Sequence, residues 1–448
     1  MASAHKPLQK TKLTETEASC WRIPDAGALV LAPAGASAAG ASAGATAGAP
    51  ASARFAALSE LLSKAKGALD PIPEKEYVAL AYELDLYARL KQRLRQKYGL
   101  PVVTNATLKL YEILSTYPVV PTDAKLPQVS VRAFCNAELP GAFLIALGLY
   151  AGRAGALAQK VAPRPVEYEW VASSYAPDSR ESAADSSILD DKYGLYAKNR
   201  GHWLMGPRPN ALPADWPAVN GDVTDASVVA TLADAVHERF ATAGRVGNES
   251  GATLYTSDAG IDVSADYGRQ EELTAVLNFG QVICGILALA PGGSFITKQY
   301  TFFTEFNREL LTLLSTLFDS LQIIKPLTSR PANSEIYVLG LGFRGIDRAL
   351  ADRLLDLLVE MKALDSAGPG TAATRCHILA STHLATDARL LEIATALTES
   401  QVAYLREIEE VYDLTQGNLA ALRAFTAKAS EKAIKKWVLS NPINSDLV

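Results

Sequence analysis

Three ionisable side chains stand where apolar, strand-like runs of the sequence begin or end, and a fourth lies on a helical segment before them. Asp258 and Lys298 each close such a run, Glu335 stands just ahead of another, and Lys109 lies on an apolar helical segment upstream. A cluster of two lysines and two carboxylates can lower the pKa of one lysine and let it take a proton from a hydroxyl group. Spacing alone leaves open the alternative that these are four independent surface charges.

A second candidate site is the strand, turn and helix pattern at residues 131–143 (VRAFCNAELPGAF). A glycine in such a turn lets the backbone approach a ligand, and the start of the following helix favours negative charge. Asp222 closes another short run one β–α unit later, where open α/β sheets hold the polar groups of adenine or ribose. A plain turn at 131–143 and a helix cap at 222–225 are the simpler alternatives. The turn matches neither GxGxxG nor GxxxxGK[ST], so a dinucleotide or nucleoside triphosphate site has little support.

Alternating apolar runs and helical patterns predict a layered α/β core over residues 121–345. The stretch 173–217 is polar and rich in Pro, Asp and Ser, and is expected to form an insertion at the working edge of the sheet. Strands are predicted at residues 129–134, 166–171, 219–222, 254–258, 293–298, 320–324 and 335–342.

The segments that flank this core differ in composition. Residues 1–31 form an N-terminal arm that is either disordered or docks elsewhere on the protein. Residues 32–53 are almost wholly Ala, Gly, Ser and Pro, which predicts a flexible linker. Helical patterns dominate residues 54–120 and 346–448.

Bulk properties restrict the function classes. A net charge of −5 argues against coating of nucleic acid through overall charge. A local basic patch remains possible at residues 89–97 (RLKQRLRQK), although a solvated helix face is the favoured interpretation. The four cysteines are widely separated without a CxxC pair, which favours free thiols in a reducing compartment. Without a recognisable secretory signal or membrane span, we expect an intracellular protein, cytoplasmic or nuclear.

The order of Lys109, Asp258, Lys298 and Glu335, together with the string KPLTSRPANSEIYV at residues 325–338, resembles the FtsJ/RrmJ-like ribose 2′-O-methyltransferases. The mRNA cap-ribose branch carries nearly this string, with the glutamate as the last member of a K-D-K-E tetrad. The resemblance covers roughly half of the chain, from Lys109 to Phe343. Residues 105–114 and 193–206 are in addition similar to large-DNA-virus members, which would place the protein in a virion or viral factory.

This resemblance implies a Rossmann-like methyltransferase fold, with a mostly parallel seven-stranded sheet that contains one antiparallel strand. It implies transfer of the methyl group of S-adenosylmethionine to a ribose 2′-oxygen of RNA, most of all near the 5′ cap of mRNA. Lys298 would be the general base, Asp258 and Glu335 its electrostatic partners, and Lys109 would position the ribose. The chemistry needs no metal and no membrane. Protein partners would bind through the N-terminal arm or the C-terminal helices.

The resemblance also implies binding residues. The cofactor candidates are Glu138, Pro140, Gly141 and Asp222, and the substrate candidates are Arg330, Asn333 and Ser334. The family's turn usually reads PGGF, whereas this chain has Ala142 in place of the second glycine. An extra methyl group there would narrow the methionine pocket. The alternative is therefore a catalytically impaired homologue that serves as an RNA-binding or assembly subunit.

Overall fold

One sheet organises the part of the chain that the computed structural model describes. That part comprises residues 19–27, 29–32, 51–120, 129–161, 166–176, 191–205, 219–241, 250–263, 266–381, 383–415 and 419–443. The strands are β1 (Ser19–Ile23), β2 (Val129–Asn136), β3 (Val166–Ala172), β4 (Ala252–Ser257), β5 (Leu289–Gln299), β6 (Phe318–Lys325) and β7 (Ile336–Phe343). They lie side by side in the order β1-β6-β7-β5-β4-β2-β3.

The strand directions confirm an α/β sheet of seven strands and correct one detail. The pairs β2–β3, β2–β4 and β4–β5 are parallel, whereas β5–β7, β6–β7 and β1–β6 are antiparallel. Five strands therefore run one way, and β7 and β1 run the other. The prediction of a single antiparallel strand is wrong, because the N-terminal arm adds a second one. The strand predicted at residues 219–222 is a loop.

Helices cover both faces of the sheet. They are α1 (Ala51–Gly67), α2 (Glu74–Leu84), α3 (Leu90–Tyr98), α4 (Asn105–Thr116), α5 (Ala142–Val161), α6 (Leu195–Lys198), α7 (Ala226–Phe240), α8 (Gln270–Leu273), α9 (Ala275–Ala288), α10 (Glu305–Leu317), α11 (Arg348–Ala367), α12 (Ala372–Arg375), α13 (Leu384–Thr415) and α14 (Leu419–Ser440). Two single 3₁₀ turns span Arg200–His202 and Tyr267–Arg269. None of the described helices has the length and apolar character needed to cross a bilayer.

The core has two main parts, one on each side of the sheet. Successive side chains of a strand point to opposite faces, so Phe295 joins one hydrophobic cluster and Ile296 the other. Helices α7, α9, α10 and α11 complete the first cluster, and α3, α4, α5 and the end of α14 complete the second. The arrangement leaves the carboxyl ends of β2, β4 and β5 at a common edge.

The flanking segments are part of this structure where they are described. The N-terminal arm docks, because Ser19–Ile23 pairs with β6 from Lys325 to Leu321. Of the predicted linker 32–53, residues 51–53 open α1, and residues 33–50 lie outside the described part. Within the predicted insertion, residues 173–176 and 191–205 are described, and the remainder lies outside.

Candidate active site

The register of the strands brings the predicted tetrad to one edge of the sheet. In the parallel pair β4–β5, Ser257 lies opposite Thr297, so the next residues, Asp258 and Lys298, stand side by side. In the antiparallel pair β5–β7, Lys298 lies opposite Tyr337, which places the start of β7 at the same edge. Parallel strands present their carboxyl ends, and the antiparallel β7 its amino end, to a shared site.

The four side chains form two adjacent ion pairs. The Lys298 Nζ donates a hydrogen bond to the main-chain oxygen of Asp258 at 2.9 Å and lies 3.3 Å from its Oδ1. The Lys109 Nζ, from α4, forms an ion pair with Glu335 Oε1. Tyr337 lies between the two pairs, because its hydroxyl donates to Asp258 Oδ1 at 2.9 Å and its ring faces Lys109. The structure therefore brings all four predicted residues together.

The charges of the cluster set the protonation of Lys298 in the free protein. Burial disfavours its ammonium, but the negative charges of Asp258 and Glu335 outweigh burial and raise the pKa of Lys298 above its usual value. The pKa of Glu335 is lowered in spite of its burial, because three lysines surround it. The expected lowering of a lysine pKa is therefore not found at Lys298, which carries a proton before ligands bind.

The lysine whose pKa falls is one that the sequence analysis did not select. Lys325 is the last residue of β6, and burial lowers its pKa to about 7. Its Nζ donates to the main-chain oxygen of Asn333 at 2.7 Å, to its Oδ1 at 2.9 Å and to the main-chain oxygen of Glu335 at 2.8 Å. Three acceptors require three N–H groups, which only the ammonium form supplies. Like Lys298, Lys325 stands at the end of an apolar run, and this position in the sequence could have identified it as a candidate.

Glu112 is a second residue that sequence reasoning missed. It lies three residues after Lys109 on α4, and its Oε1 accepts a hydrogen bond from the main-chain N–H of Leu327 at 2.7 Å. Its Oε2 accepts from the Thr328 hydroxyl at 3.0 Å and from the indole N–H of Trp437 at 2.9 Å. The buried carboxylate therefore fixes the loop that leads to Glu335, and it ties α14 to that loop. Its spacing of three residues from Lys109 places both side chains on one helix face, and this spacing could have identified Glu112 from the sequence.

The three substrate candidates differ in how much of each side chain is free. Ser334 donates to Gln401 Oε1 of α13 at 3.1 Å, and the Asn333 amide oxygen accepts from Lys325. Arg330 is exposed and makes no side-chain hydrogen bond or ion pair with the described residues. Arg330 thus has the most available side chain of the three, and a substrate-binding role stays a prediction for all of them.

The predicted cofactor turn lies at the end of β2 and is held by hydrogen bonds to the chain after β3 and by packing against Leu195. Gly141 has a φ of 112°, and a Cβ there would collide with the Leu195 side chain, so both backbone and space require glycine. The buried Glu138 accepts a hydrogen bond from the main-chain N–H of Leu144 at 2.8 Å, and burial raises its pKa to about 8. Glu138 therefore caps the start of α5. Pro140, which lies between Glu138 and Gly141 in the sequence, is half-buried.

Asp222 lies in the loop before α7 and is partly exposed. Its Oδ1 accepts hydrogen bonds from the Thr224 main-chain N–H at 3.0 Å and hydroxyl at 2.6 Å, and its Oδ2 lies 3.2 Å from Lys362 Nζ of α11. Asp225, rather than Asp222, caps α7 by accepting from the Ser227 N–H at 3.0 Å. The Asp222 carboxylate thus remains at the rim of the sheet edge with capacity for a further donor.

Comparison with known proteins identifies the family. Residues 199–343 match the FtsJ-like methyltransferases. The chain carries an FtsJ-like methyltransferase domain. The matched range contains Asp222, Asp258, Lys298 and Glu335 of the candidate site, whereas Lys109 and the turn that contains Gly141 precede it.

The relatives of this FtsJ-like chain include viral and animal proteins. It is 36% identical over 292 residues to a probable methyltransferase of African swine fever virus, which covers 64% of this chain and 61% of the relative. It is 28% identical over 339 residues to an uncharacterized protein of Acanthamoeba polyphaga mimivirus, over 75% of this chain and 38% of the relative. It is 27% identical over 286 residues to the cap-specific mRNA (nucleoside-2′-O-)-methyltransferase 2 of Drosophila melanogaster, over 64% of this chain and 36% of the relative.

These relatives confirm the resemblance to FtsJ-like methyltransferases and to large-DNA-virus members. The chain spans about three fifths of the African swine fever virus protein and less than two fifths of the other two. The family and the names of the relatives support a methyltransferase.

Proposed function

We propose that the chain transfers the methyl group of S-adenosylmethionine to a ribose 2′-oxygen of RNA, at the cap-proximal nucleotide of mRNA. The observation that carries the proposal is the pairing of Lys298 with Asp258 beside the Lys109–Glu335 pair at the carboxyl edge of the sheet. A ribose hydroxyl needs a base because its proton is held tightly, and a lysine amine is a suitable acceptor. The cap-specific Drosophila relative supports the choice of substrate.

Lys298 takes the central role in the proposed reaction. Bound S-adenosylmethionine supplies the methyl group and a sulfonium charge. A neighbouring positive charge would disfavour the Lys298 ammonium, so Nζ would lose its proton to solvent and could then accept the proton of the 2′-hydroxyl. The deprotonated 2′-oxygen would take the methyl group, and S-adenosylhomocysteine would leave. Asp258 and Glu335 stabilise the ammonium that is regenerated, and Lys109 orients the ribose through its pairing with Glu335.

The residues at the sheet edge suit such a cofactor. Gly260 is exposed beside Lys298, and a Cβ there would lie 3.1 Å from the Lys298 Nζ, so the absence of a side chain leaves the approach to the amine open. Asp222 offers a partly exposed carboxylate to donors of ribose or adenine. The Gly141 turn brings backbone to the same edge. These three groups would hold the cofactor.

One observation favours the alternative of an impaired homologue that binds RNA or assembles with partners. The Leu195 side chain fills the space beside Gly141, next to the departure from the family pattern at Ala142. A turn closed in this way would weaken cofactor binding. Calorimetric titration with S-adenosylmethionine separates the two: micromolar binding supports the enzyme, and no binding at millimolar concentration supports the alternative.

The test of the enzyme is methylation of capped RNA followed by mass analysis of the released nucleosides. Lys298→Ala is expected to lower the rate by about 10²- to 10⁴-fold while S-adenosylmethionine binding persists, since general-base catalysis contributes that much. Lys435→Ala, which removes an exposed lysine paired with Glu431 on α14, is the matched control and should keep the full rate. A folded, cofactor-binding Lys298→Ala protein that methylates as fast as wild type would refute the mechanism. RNA with and without the cap tests the substrate.

A further inference from the structure

A groove leads from the candidate active site to α1. It consists of two cavities of about 180 Å³ and 210 Å³, which share the lining residues Leu62, Thr301, Phe303 and Ser334. Because the cavities share walls, they lie next to each other between α1 and the segment that follows β5, and we treat them together as one groove. Nothing in the predicted chemistry of Lys298 accounts for this space.

The first cavity comes close to the proposed base through Tyr300. Its walls include Tyr300 and Lys325. Tyr300 lies two residues after Lys298, and the Lys298 Nζ is 6.0 Å from the centre of the Tyr300 ring. A ribose held at Lys298 would therefore have the mouth of the groove beside it.

The second cavity ends at a cation without a protein partner. Lys66 of α1 lines it together with the hydroxyl-bearing Ser59 and Ser63. Lys66 is half-buried, burial lowers its pKa, and its side chain makes no hydrogen bond or ion pair with the described residues. Lys64, two residues earlier, instead pairs with Glu60 at 2.7 Å. A partly desolvated amine that lacks an acceptor is well suited to an anionic ligand.

Neither of the two acidic residues that line the second cavity forms an ion pair with Lys66. Glu271 accepts hydrogen bonds from the Phe303 and Thr304 main-chain N–H groups at 2.9 and 2.7 Å, and Glu272 pairs with Arg269 at 2.9 Å. Both carboxylates are thus engaged within the protein. The positive charge of Lys66 remains available to a ligand.

We propose that this groove binds the single-stranded RNA next to the methylated nucleotide, with a backbone phosphate at Lys66, Ser59 and Ser63. Lysine and serine donors suit phosphate oxygens and carry no base preference, so the contact fixes the position of the strand without reading its sequence. The net charge of −5 means that RNA must be attracted by such a local cation. The inference rests on the proposed RNA methylation, and it assigns a role to α1, which precedes the family match.

The test compares two capped substrates, a 30-nucleotide RNA and a cap dinucleotide, in methylation assays. Lys66→Ala should raise KM for the long RNA about fivefold, as expected for the loss of one solvent-screened charge contact, and leave kcat unchanged. It should not change KM for the dinucleotide. Lys64→Ala is the matched control on the same helix and should match wild type, and Lys66→Arg should restore most of the affinity. An equal effect of Lys66→Ala on both substrates, or none on the long RNA, would overturn the proposal.

Fluorescence anisotropy with labelled RNA keeps the two proposals separate. Loss of Lys66 should reduce the slope of log affinity against log salt by about 0.7, the value for one phosphate contact on a single strand. If the wild-type protein binds RNA with this Lys66 dependence and does not methylate it, the proposed reaction fails and the groove stands. If RNA binding shows no Lys66 dependence, the groove proposal fails whether or not the protein methylates.

Discussion

The two ends of the candidate site are built in different ways. At the tetrad end, Lys109, Asp258, Lys298 and Glu335 come from four separate segments, and each charge faces an opposite charge from another element. At the cofactor end, the turn from β2 to α5 is held by hydrogen bonds and packing, with Glu138 bonded to α5 and Gly141 against Leu195.

This difference shows which polar groups are available for chemistry. The tetrad end keeps ionised side chains at the sheet edge, where they can act on a substrate. At the cofactor end, the buried Glu138 side chain is hydrogen-bonded to the start of a helix. A cofactor would therefore be recognised by main-chain groups and by the partly exposed carboxylate of Asp222. Substitutions at the tetrad end should therefore change rate and pH dependence, whereas those in the turn should change cofactor affinity.

After Lys298→Ala, the largest expected effect comes from Asp258→Asn. In the wild type, log kcat should rise with pH, because Lys298 must lose the proton that the nearby negative charges help it to hold. Removing the Asp258 charge lowers the pKa of Lys298, so the midpoint of the profile should move to lower pH. The maximal rate should fall about 100-fold, within the range for a group that assists proton transfer.

The measurement is a pH–kcat profile from pH 6 to 10, with Asp352→Asn on the exposed face of α11 as the control. An unchanged midpoint in Asp258→Asn would show that this carboxylate does not set the protonation of Lys298, and the contrast between the two ends would lose its basis.

Gly141→Ala should have the next largest effect, on cofactor affinity. An alanine at a φ of 112° is strained by about 1–3 kcal/mol, and its methyl group would meet Leu195. S-adenosylmethionine should bind at least about tenfold more weakly, with kcat at saturation little changed. The double variant Gly141→Ala/Leu195→Ala should recover the part of the affinity loss that comes from the collision with Leu195. It should not recover the part that comes from backbone strain. Calorimetry measures the cofactor affinity, and thermal unfolding measures the loss of stability caused by strain. Full cofactor affinity in Gly141→Ala would contradict a role for the turn.

Ala142→Gly should have the smallest effect. Ala142 is the first residue of α5, so glycine there should destabilise the fold by up to about 1 kcal/mol. If the Ala142 methyl group lies outside the cofactor path, affinity should change less than about threefold, or about 0.65 kcal/mol. Affinity that rises more than tenfold in Ala142→Gly would favour the impaired homologue.

The sequence predicted the β–α core and, through the resemblance, the residues of the tetrad. Both rest on patterns that are local, such as Asp258 and Lys298 at the ends of apolar runs. The contacts that support the site are not local. Glu112 contacts Trp437, and Lys325 lies opposite Ser19, which is 306 positions earlier in the chain. No spacing or period in the sequence encodes such pairs.

The predicted lowering of a lysine pKa illustrates the same limit. Whether a lysine pKa rises or falls depends on the balance between burial and the distance to a carboxylate. Asp258 lies close enough to Lys298 to raise its pKa, whereas Lys325 is buried with uncharged oxygen acceptors and its pKa falls. Both lysines follow similar apolar runs, so only the three-dimensional arrangement separates them.

Strand β1 has a consequence for association between copies of the protein. Without it, the eight residues of β6 would present unpaired main-chain N–H and C=O groups along the margin of the sheet, which is a template for pairing with another chain. The segment Ser19–Ile23 pairs with β6, so the margin of the sheet there is a strand of five residues instead of eight. Arg22 is exposed on this short strand. A short, charged margin is a poor template, so this segment disfavours the pairing of another chain with this edge of the sheet.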